Sequence, residues 1–320
     1  MSEDLYLAMD LGGTNCRAGL AGLDGRLRNM RRMATPDLAS PRDFVSALAD
    51  FCRLVMGDVR VQSFGLGVPG AVEAAGRIAF SPNLPQLNGL PLALELQELL
   101  GMPVRVVNDA NAIAVGEACY GAGRELDSFL TITLGTGVGG GLILRRRLWE
   151  GPDGTAGEVG HLMVEAEGRS CACGSRGCLE QYASGPGLVR TYRELASAVA
   201  GAVAPGPASG EEVAQAAEGG DAIALASLGE AGRRLGQVIA GVANLLNIDG
   251  VIITGGASGH LPLMLPALHQ ELHLRAFATA GRRLAIQPGM LGDGAGLLGA
   301  ARLAAMSPTH FSVNDEPLNS

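Results

Sequence analysis

Lysine is absent: all 24 basic residues of this 320-residue chain are arginine. That excludes a Schiff-base lysine, a Walker A lysine and the catalytic lysine of protein kinases. A nucleotide site here must hold phosphates with backbone N–H groups, arginine and metal. An excess of positive charge is also missing. The 32 acidic residues outnumber the basic ones and leave a net charge of −8, a poor match to a nucleic-acid backbone. The most apolar stretch, Val238–Gly256, is interrupted by Asn244, Asn247 and Asp249, and does not read as a membrane span. The first residues, Met1 to Asp4, are acidic and run straight into a strand, which argues against a secretory signal. A cytoplasmic protein is expected, and in that compartment six cysteines suggest metal or redox chemistry before disulfides.

What is present reads as a globular α/β chain. Apolar residues make up 47% and charged residues 18%, enough for a core, and 320 residues suggest about two domains. Strand, glycine turn and strand follow one another in Leu5–Asp10, Gly12-Gly13 and Asn15–Leu20. The same unit returns as Ser128–Leu134, Gly135–Gly141 and Leu142–Leu144, which suggests two similar domains whose glycine turns face a shared cleft. Further short apolar runs at Ser63–Val68, Val104–Val107 and Gly250–Thr254 stop abruptly at Gly, Asn or Asp, where open α/β sheets place ligand loops. Helical patterns are expected over 41–56, 90–100, 110–120, 185–200, 211–217, 221–247, 262–277 and 294–306. Val199–Gly210 reads as a small-residue loop and Ser307–Ser320 as a polar tail.

His161, Cys171, Cys173 and Cys178 fall within 18 residues, with glycines between the last two thiols. Three thiolates and an imidazole form a closed tetrahedral set for a structural Zn²⁺, with unpaired buried thiols as the alternative. Imidazole binds a metal through one nitrogen, so the other is free for a hydrogen bond in an orientation the metal fixes. Glu158 and Glu180 flank this loop. With a fixed imidazole they suit a polyhydroxylated ligand, although the spacing alone also fits solvated carboxylates. Cys16, Cys52 and Cys119 are scattered and read as core residues.

Backbone N–H groups at Gly12, Gly13 and Thr14 could cradle a phosphate, and Asp10 could hold a water of Mg²⁺. Gly135–Gly141 could hold further phosphate oxygens, and Gly255-Gly256 forms a third glycine turn. Each turn alone is also an ordinary hairpin tip. Asn108-Asp109-Ala110-Asn111 sits where a strand passes into a helix. Asp109 is the natural general base, or else a first-turn helix acid. A carboxylate that accepts a proton only as the attacked bond forms fits phosphoryl transfer.

Taken together, Asp10-Leu-Gly-Gly-Thr14, Gly67-Val-Pro-Gly70, Ser81-Pro-Asn83, Asn108–Asn111, Thr133–Gly141, Gly157-Glu-Val-Gly-His161, Cys171–Glu180, Ile253–Gly256 and Gly294–Gly299 resemble the ROK sugar kinases along essentially the whole chain. The run Gly177–Gly185 looks most like bacterial glucokinases of that family. The resemblance implies a two-domain actin/hexokinase/Hsp70-like ATPase fold with an interdomain active-site cleft and a structural zinc loop. It implies that Asp109 deprotonates the 6-hydroxyl of a hexose attacking the γ-phosphate of Mg-ATP. Gly70, Asn83, Asn108, Glu158, His161 and Glu180 would bind the sugar. Asp10, Gly12, Gly13, Thr14, Gly135, Thr136 and Gly137 would hold phosphates and metal, and Gly255 and Gly256 would pass close to the adenosine. The small domain would take residues 1–108 plus 297–320, and the large domain 109–296. A homodimer or homotetramer is implied, with no nucleic-acid or membrane partner. Glucose is the expected sugar, with N-acetylglucosamine, N-acetylmannosamine or fructose as alternatives. A sugar-sensing repressor would need a DNA-binding helix-turn-helix before Leu5, where only four residues stand.

Overall fold

The computed structural model describes residues 4–200 and 206–306. The tail read at Ser307–Ser320, and part of the loop read at Val199–Gly210, lie outside them. In chain order the elements are β1 (Leu5–Leu11), β2 (Asn15–Gly22), β3 (Leu27–Ala34), α1 (Pro41–Met56), β4 (Phe64–Val68), β5 (Ala71–Val72), β6 (Ile78–Phe80), α2 (Leu92–Leu100), β7 (Val104–Asn108) and α3 (Asp109–Tyr120). Then come β8 (Phe129–Leu134), β9 (Val138–Leu144), β10 (Arg147–Leu148), α4 (Glu180–Ala183), α5 (Gly185–Ala200), α6 (Gly210–Glu218), α7 (Ala222–Leu246), β11 (Gly250–Thr254), α8 (Leu261–Arg275), α9 (Ala278–Arg283), β12 (Ala285–Pro288) and α10 (Ala295–Ala304). Two sheets of five strands result, ordered β3-β2-β1-β4-β7 and β10-β9-β8-β11-β12. This is the two-domain α/β architecture expected. Among the described residues no helix is long and apolar enough to cross a membrane.

The chain separates into two compact units, Met1–Ser128 with Gly141–Gly157 and Met290–Ser320, and Phe129–Gly140 with Glu158–Gly289. In the first unit, β1 runs antiparallel to β2 and parallel to β4, and β4 runs parallel to β7. Helix α1 starts where the Ser40 side chain accepts the Asp43 N–H and Pro41 presets φ. Its apolar stripe, Phe44, Val45, Leu48, Phe51, Cys52 and Val55, is buried with Leu7, Met9, Phe64 and Leu66 of the sheet. The packing of α3 against α10 is close enough to require glycine. A Cβ on Gly299 would lie 1.7 Å from the Ala112 carbonyl oxygen. This contact groups α3 with the first unit, whereas the sequence reading begins the large domain at residue 109.

In the second unit, β11 pairs in parallel with β8 and with β12. Asp221 caps the 25-residue helix α7 by accepting the N–H groups of Ile223 and Ala224, and Asn247 ends it in the left-handed conformation, φ 50°. Helix α7 packs along α8, where a Cβ on Gly232 would meet the Met264 carbonyl oxygen at 2.3 Å.

All eight expected helices form, within about two residues at most ends. The sequence reading does not include β3, whose run Leu27-Arg-Asn-Met-Arg-Arg-Met-Ala34 is largely exposed and lacks an apolar face. It also omits the four-residue α4, the short α9 and the strand β12.

Candidate active site and metal centre

The second unit brings its predicted residues together around the cysteine loop. The segment after His161 pairs with the segment before Glu180. Met163 and Cys178 form an antiparallel bridge, Val164 N–H donates to Gly177 O at 2.8 Å, and Leu179 N–H donates to Leu162 O at 2.9 Å. Ligand atoms of His161, Cys171, Cys173 and Cys178 all lie within 4.8 Å of one another. The His161 Nδ1 stands 3.7 Å from Cys171 Sγ, and Cys173 Sγ stands 3.6 Å from Cys178 Sγ. Tetrahedral zinc with Zn–S bonds of about 2.3 Å separates its ligand atoms by about 3.8 Å, so the donor set fits that ion. Burial and the neighbouring thiols push the Cys178 thiol up to about 12. A divalent cation reverses that preference, because thiolates are then neutralised.

The other nitrogen of His161, Nε2, faces Glu158 Oε2 at 3.8 Å. The imidazole thus has one nitrogen toward the thiols and one toward a carboxylate. Burial and the charge of Glu180 raise the Glu158 carboxyl, against the pull of His161. Glu180 opens α4, and its Oε2 accepts the Val138 N–H at 3.1 Å. A Cβ on Gly137 would stand 2.6 Å from that oxygen. Glu180 thus touches the glycine turn that follows β8.

That turn is closed by Gly135 N–H donating to Gly137 O at 3.0 Å, and Gly139 N–H reaches Thr133 Oγ1 at 3.2 Å. Gly135 and Thr136 are exposed. Gly255, at φ +86°, backs directly onto Leu134: a Cβ there would meet the Leu134 carbonyl oxygen at 2.4 Å. The turn at Gly255-Gly256 and the turn at Gly135–Gly137 are consequently neighbours.

The first unit assembles the remaining residues. Gly12 N–H donates to Asn15 O at 2.9 Å, and Thr35 Oγ1 donates to Gly12 O at 2.6 Å, which fixes the turn while Gly13 and Thr14 stay exposed. A Cβ on Gly13 would lie 3.3 Å from Asn83 Cβ, so Asn83 borders the turn. Asp10 sits across from Arg17 in the β1–β2 register, with Arg17 Nη1 3.8 Å from its carboxylate and Nη2 3.1 Å from Asp293. Burial raises the Asp10 carboxyl while Arg17 lowers it. A cation near the turn would act in the same direction as Arg17.

Asp109 begins α3 directly after β7 and accepts the Ala110 N–H at 2.8 Å. Its neighbour Asn108 is the helix cap, accepting Asn111 N–H at 3.0 Å, and its amide donates to Gly70 O at 2.9 Å. Gly70 has φ +108°, and a Cβ there would overlap the Phe80 carbonyl at 2.2 Å. Gly70, Asn108 and Asp109 therefore form one connected loop-end structure.

Sequence reasoning missed two buried charge networks. Glu117 is fully buried in α3 and accepts the N–H groups of Ala122, Met290 and Leu291. Arg169, Tyr182 and Arg234 form the other, beside the cysteine loop. No local motif signals either one, because the partners lie up to 174 positions away.

The model of the ROK family matches residues 6–307. A glucokinase of Thermotoga maritima is 33% identical over 306 residues, which are 93% of this chain and 96% of that protein. An N-acetylmannosamine kinase of Escherichia fergusonii is 33% identical over 306 residues, 93% of this chain and 97% of that protein. The crystal structure of a ROK family glucokinase from Streptomyces griseus, in complex with glucose and AMPPNP, superposes with a TM-score of 0.80 at 34% identity, covering 94% of this chain and 99% of that one. Motifs, fold and near-complete coverage agree, and the chain belongs to the ROK family.

Proposed function

We propose that this sugar kinase transfers the γ-phosphoryl group of Mg-ATP to the 6-hydroxyl of glucose, with Asp109 as general base. The observation that carries the reading is the His161 ring, whose Nδ1 faces the thiols while Nε2 faces Glu158. An imidazole so divided presents a fixed polar edge, and carboxylates beside it accept from hydroxyl groups. Glu158, His161 and Glu180, with Asn83, Asn108 and the Gly70 backbone, bind the sugar. His161, Cys171, Cys173 and Cys178 would hold zinc, which would fix the imidazole and leave the chemistry to side chains.

Asp109 accepts the 6-hydroxyl proton as the oxygen attacks phosphorus. It stands at the start of α3, directly after β7 and beside the Asn108 amide that holds the Gly70 carbonyl. Gly12, Gly13 and Thr14, with Gly135, Thr136 and Gly137, donate N–H and hydroxyl groups to the phosphates, and Gly255 and Gly256 lie along the adenosine. Asp10 holds a water of Mg²⁺, the ion that neutralises the charge on the transferring group. We keep the lobe limits at 1–108 with 297–320 and at 109–296, in a cytoplasmic homodimer or homotetramer. Compact packing and hinge motion need not divide a chain at the same residue.

N-acetylmannosamine is the second reading, because a kinase for that sugar is as similar in sequence as the Thermotoga maritima glucokinase. An ATP-coupled assay comparing glucose, mannose, fructose, N-acetylglucosamine and N-acetylmannosamine decides between them. Glucose should give the highest kcat/KM, and a preference for an N-acetylated sugar would overturn the glucose assignment while keeping the mechanism. Asp109→Asn should bind sugar with unchanged affinity by calorimetry and lose turnover. Wild-type kcat in that variant would remove Asp109 from the base role.

A further inference from the structure

Two guanidinium groups lie over one aromatic ring beside the cysteine loop. Arg169 Cζ is 4.5 Å and Arg234 Cζ 5.1 Å from the centroid of Tyr182. Both distances are within the range of cation–π attraction, which strengthens as the groups are desolvated. Arg169 is only 9% exposed. Its guanidinium donates to Gln181 O, to Gly187 O at 3.3 Å, to Thr191 Oγ1 at 2.9 Å and to Glu194 Oε2 at 2.6 Å. Its backbone N–H donates to Tyr182 Oη at 3.1 Å. Arg234 reaches from α7 to the other side of the loop, donating to Val164 O at 2.8 Å and to Glu165 Oε2 at 2.7 Å.

The network joins three elements to one short helix. Tyr182 and Gln181 are in α4, the four-residue helix that starts with Glu180. A helix of one turn has little stability of its own and takes its orientation from tertiary contacts. Beside the Val138 N–H that Glu180 Oε2 accepts, those contacts include the ring under the two guanidiniums and the Gln181 carbonyl held by Arg169. We propose that Arg169, Tyr182 and Arg234 are positioning residues that set the direction of the Glu180 carboxylate, and through it the affinity for sugar. The proposal rests on the reading of Glu180 as a sugar ligand.

The test uses the full chain and the sugar preferred in the panel above. Tyr182→Leu should raise the sugar KM about ten-fold, the scale seen when a group that orients a ligand is removed, with the KM for ATP and the zinc content per chain unchanged. Tyr182→Phe keeps the ring and should recover most of the loss. The decisive comparison repeats Tyr182→Leu in a Glu180→Gln background, where its effect on sugar KM should largely disappear, because coupled residues are not additive. A full additional effect in that background would overturn the proposal, as would an unchanged KM in Tyr182→Leu alone. If Glu180→Gln itself leaves the sugar KM unchanged, the sugar-ligand reading fails and the proposal falls with it. Should Tyr182→Leu not fold, Arg234→Gln, which withdraws one guanidinium and leaves the ring, takes its place in the same cycle with the same expected coupling to Glu180.

Discussion

Gly137→Ala isolates the contact between the glycine turn and Glu180. Gly137 does not have the positive φ that disfavours side chains, so alanine can adopt its backbone. The added Cβ would stand 2.6 Å from Glu180 Oε2, against an ordinary contact that begins at 3.4 Å. The carboxylate oxygen must therefore move by about 0.8 Å, the difference between those two distances. Its 3.1 Å bond from Val138 N–H is lost or badly bent by a shift of that size. The displaced atom is the end of a flexible side chain, so the fold should tolerate the change, with a thermal midpoint within about 2 °C of wild type. Function should not tolerate it, because misplacing a substrate-positioning group by about 1 Å can cost about 100-fold. Steady-state kinetics with sugar and ATP varied separately provide the assay. The sugar KM should rise by about ten-fold or more. A sugar KM within two-fold of wild type would refute the reasoning about Glu180. A rise confined to the KM for ATP would assign Gly137 to the phosphates alone.

Glu117→Gln removes one of two oxygens that receive three backbone N–H groups, from Ala122, Met290 and Leu291. Losing a bond to a charged acceptor and stranding a buried N–H should cost about 3–5 kcal/mol in urea unfolding, and a change below about 0.5 kcal/mol would show that water replaces the lost oxygen. Cys173→Ser should abolish stoichiometric zinc by elemental analysis and raise the sugar KM, whereas retained zinc would remove Cys173 from the ligand set. Alkaline pH should destabilise the protein through Cys16, whose thiol is pushed up to about 12 by burial and by Asp10. The native state holds this proton more tightly than the unfolded chain does. The contribution is intact below about pH 9 and is lost toward pH 12 at about 1.4 kcal/mol per pH unit. Urea midpoints at pH 8 and pH 10.5 should fall less in Cys16→Ala than in wild type, and equal slopes would contradict the assignment.

The parts legible in the sequence are those whose signal is local. Apolar periodicity marks the helices, and abrupt Gly, Asn or Asp endings mark β4, β7 and β11. The cysteine cluster was legible because its ligands lie within one loop. Strand β3 was not, because an exposed edge strand needs no apolar face, and Arg28, Arg31 and Arg32 hide its extended character. Arg169 and Glu117 could not be recognised as buried, since charged residues are almost always on the surface unless paired. Their pairing depends on groups that only the fold brings near. The close approach of α3 and α10 was illegible for the same reason: the glycines that permit it look like ordinary helix interruptions in the sequence.

Strand β3 also bears on whether the sheet can be extended from outside. It is the outer strand of its sheet, and such strands can recruit a second molecule by continuing the hydrogen-bonded ladder. Here Asn29, at φ 48°, breaks the extended backbone in mid-strand, and the pairing register to β2 shifts at Ala18/Leu20. Two such edges laid together would also oppose arginine to arginine. Sheet-to-sheet aggregation along this side is disfavoured both by shape and by charge, and replacing Arg28, Arg31 and Arg32 with threonine would remove the charge barrier while leaving the kink.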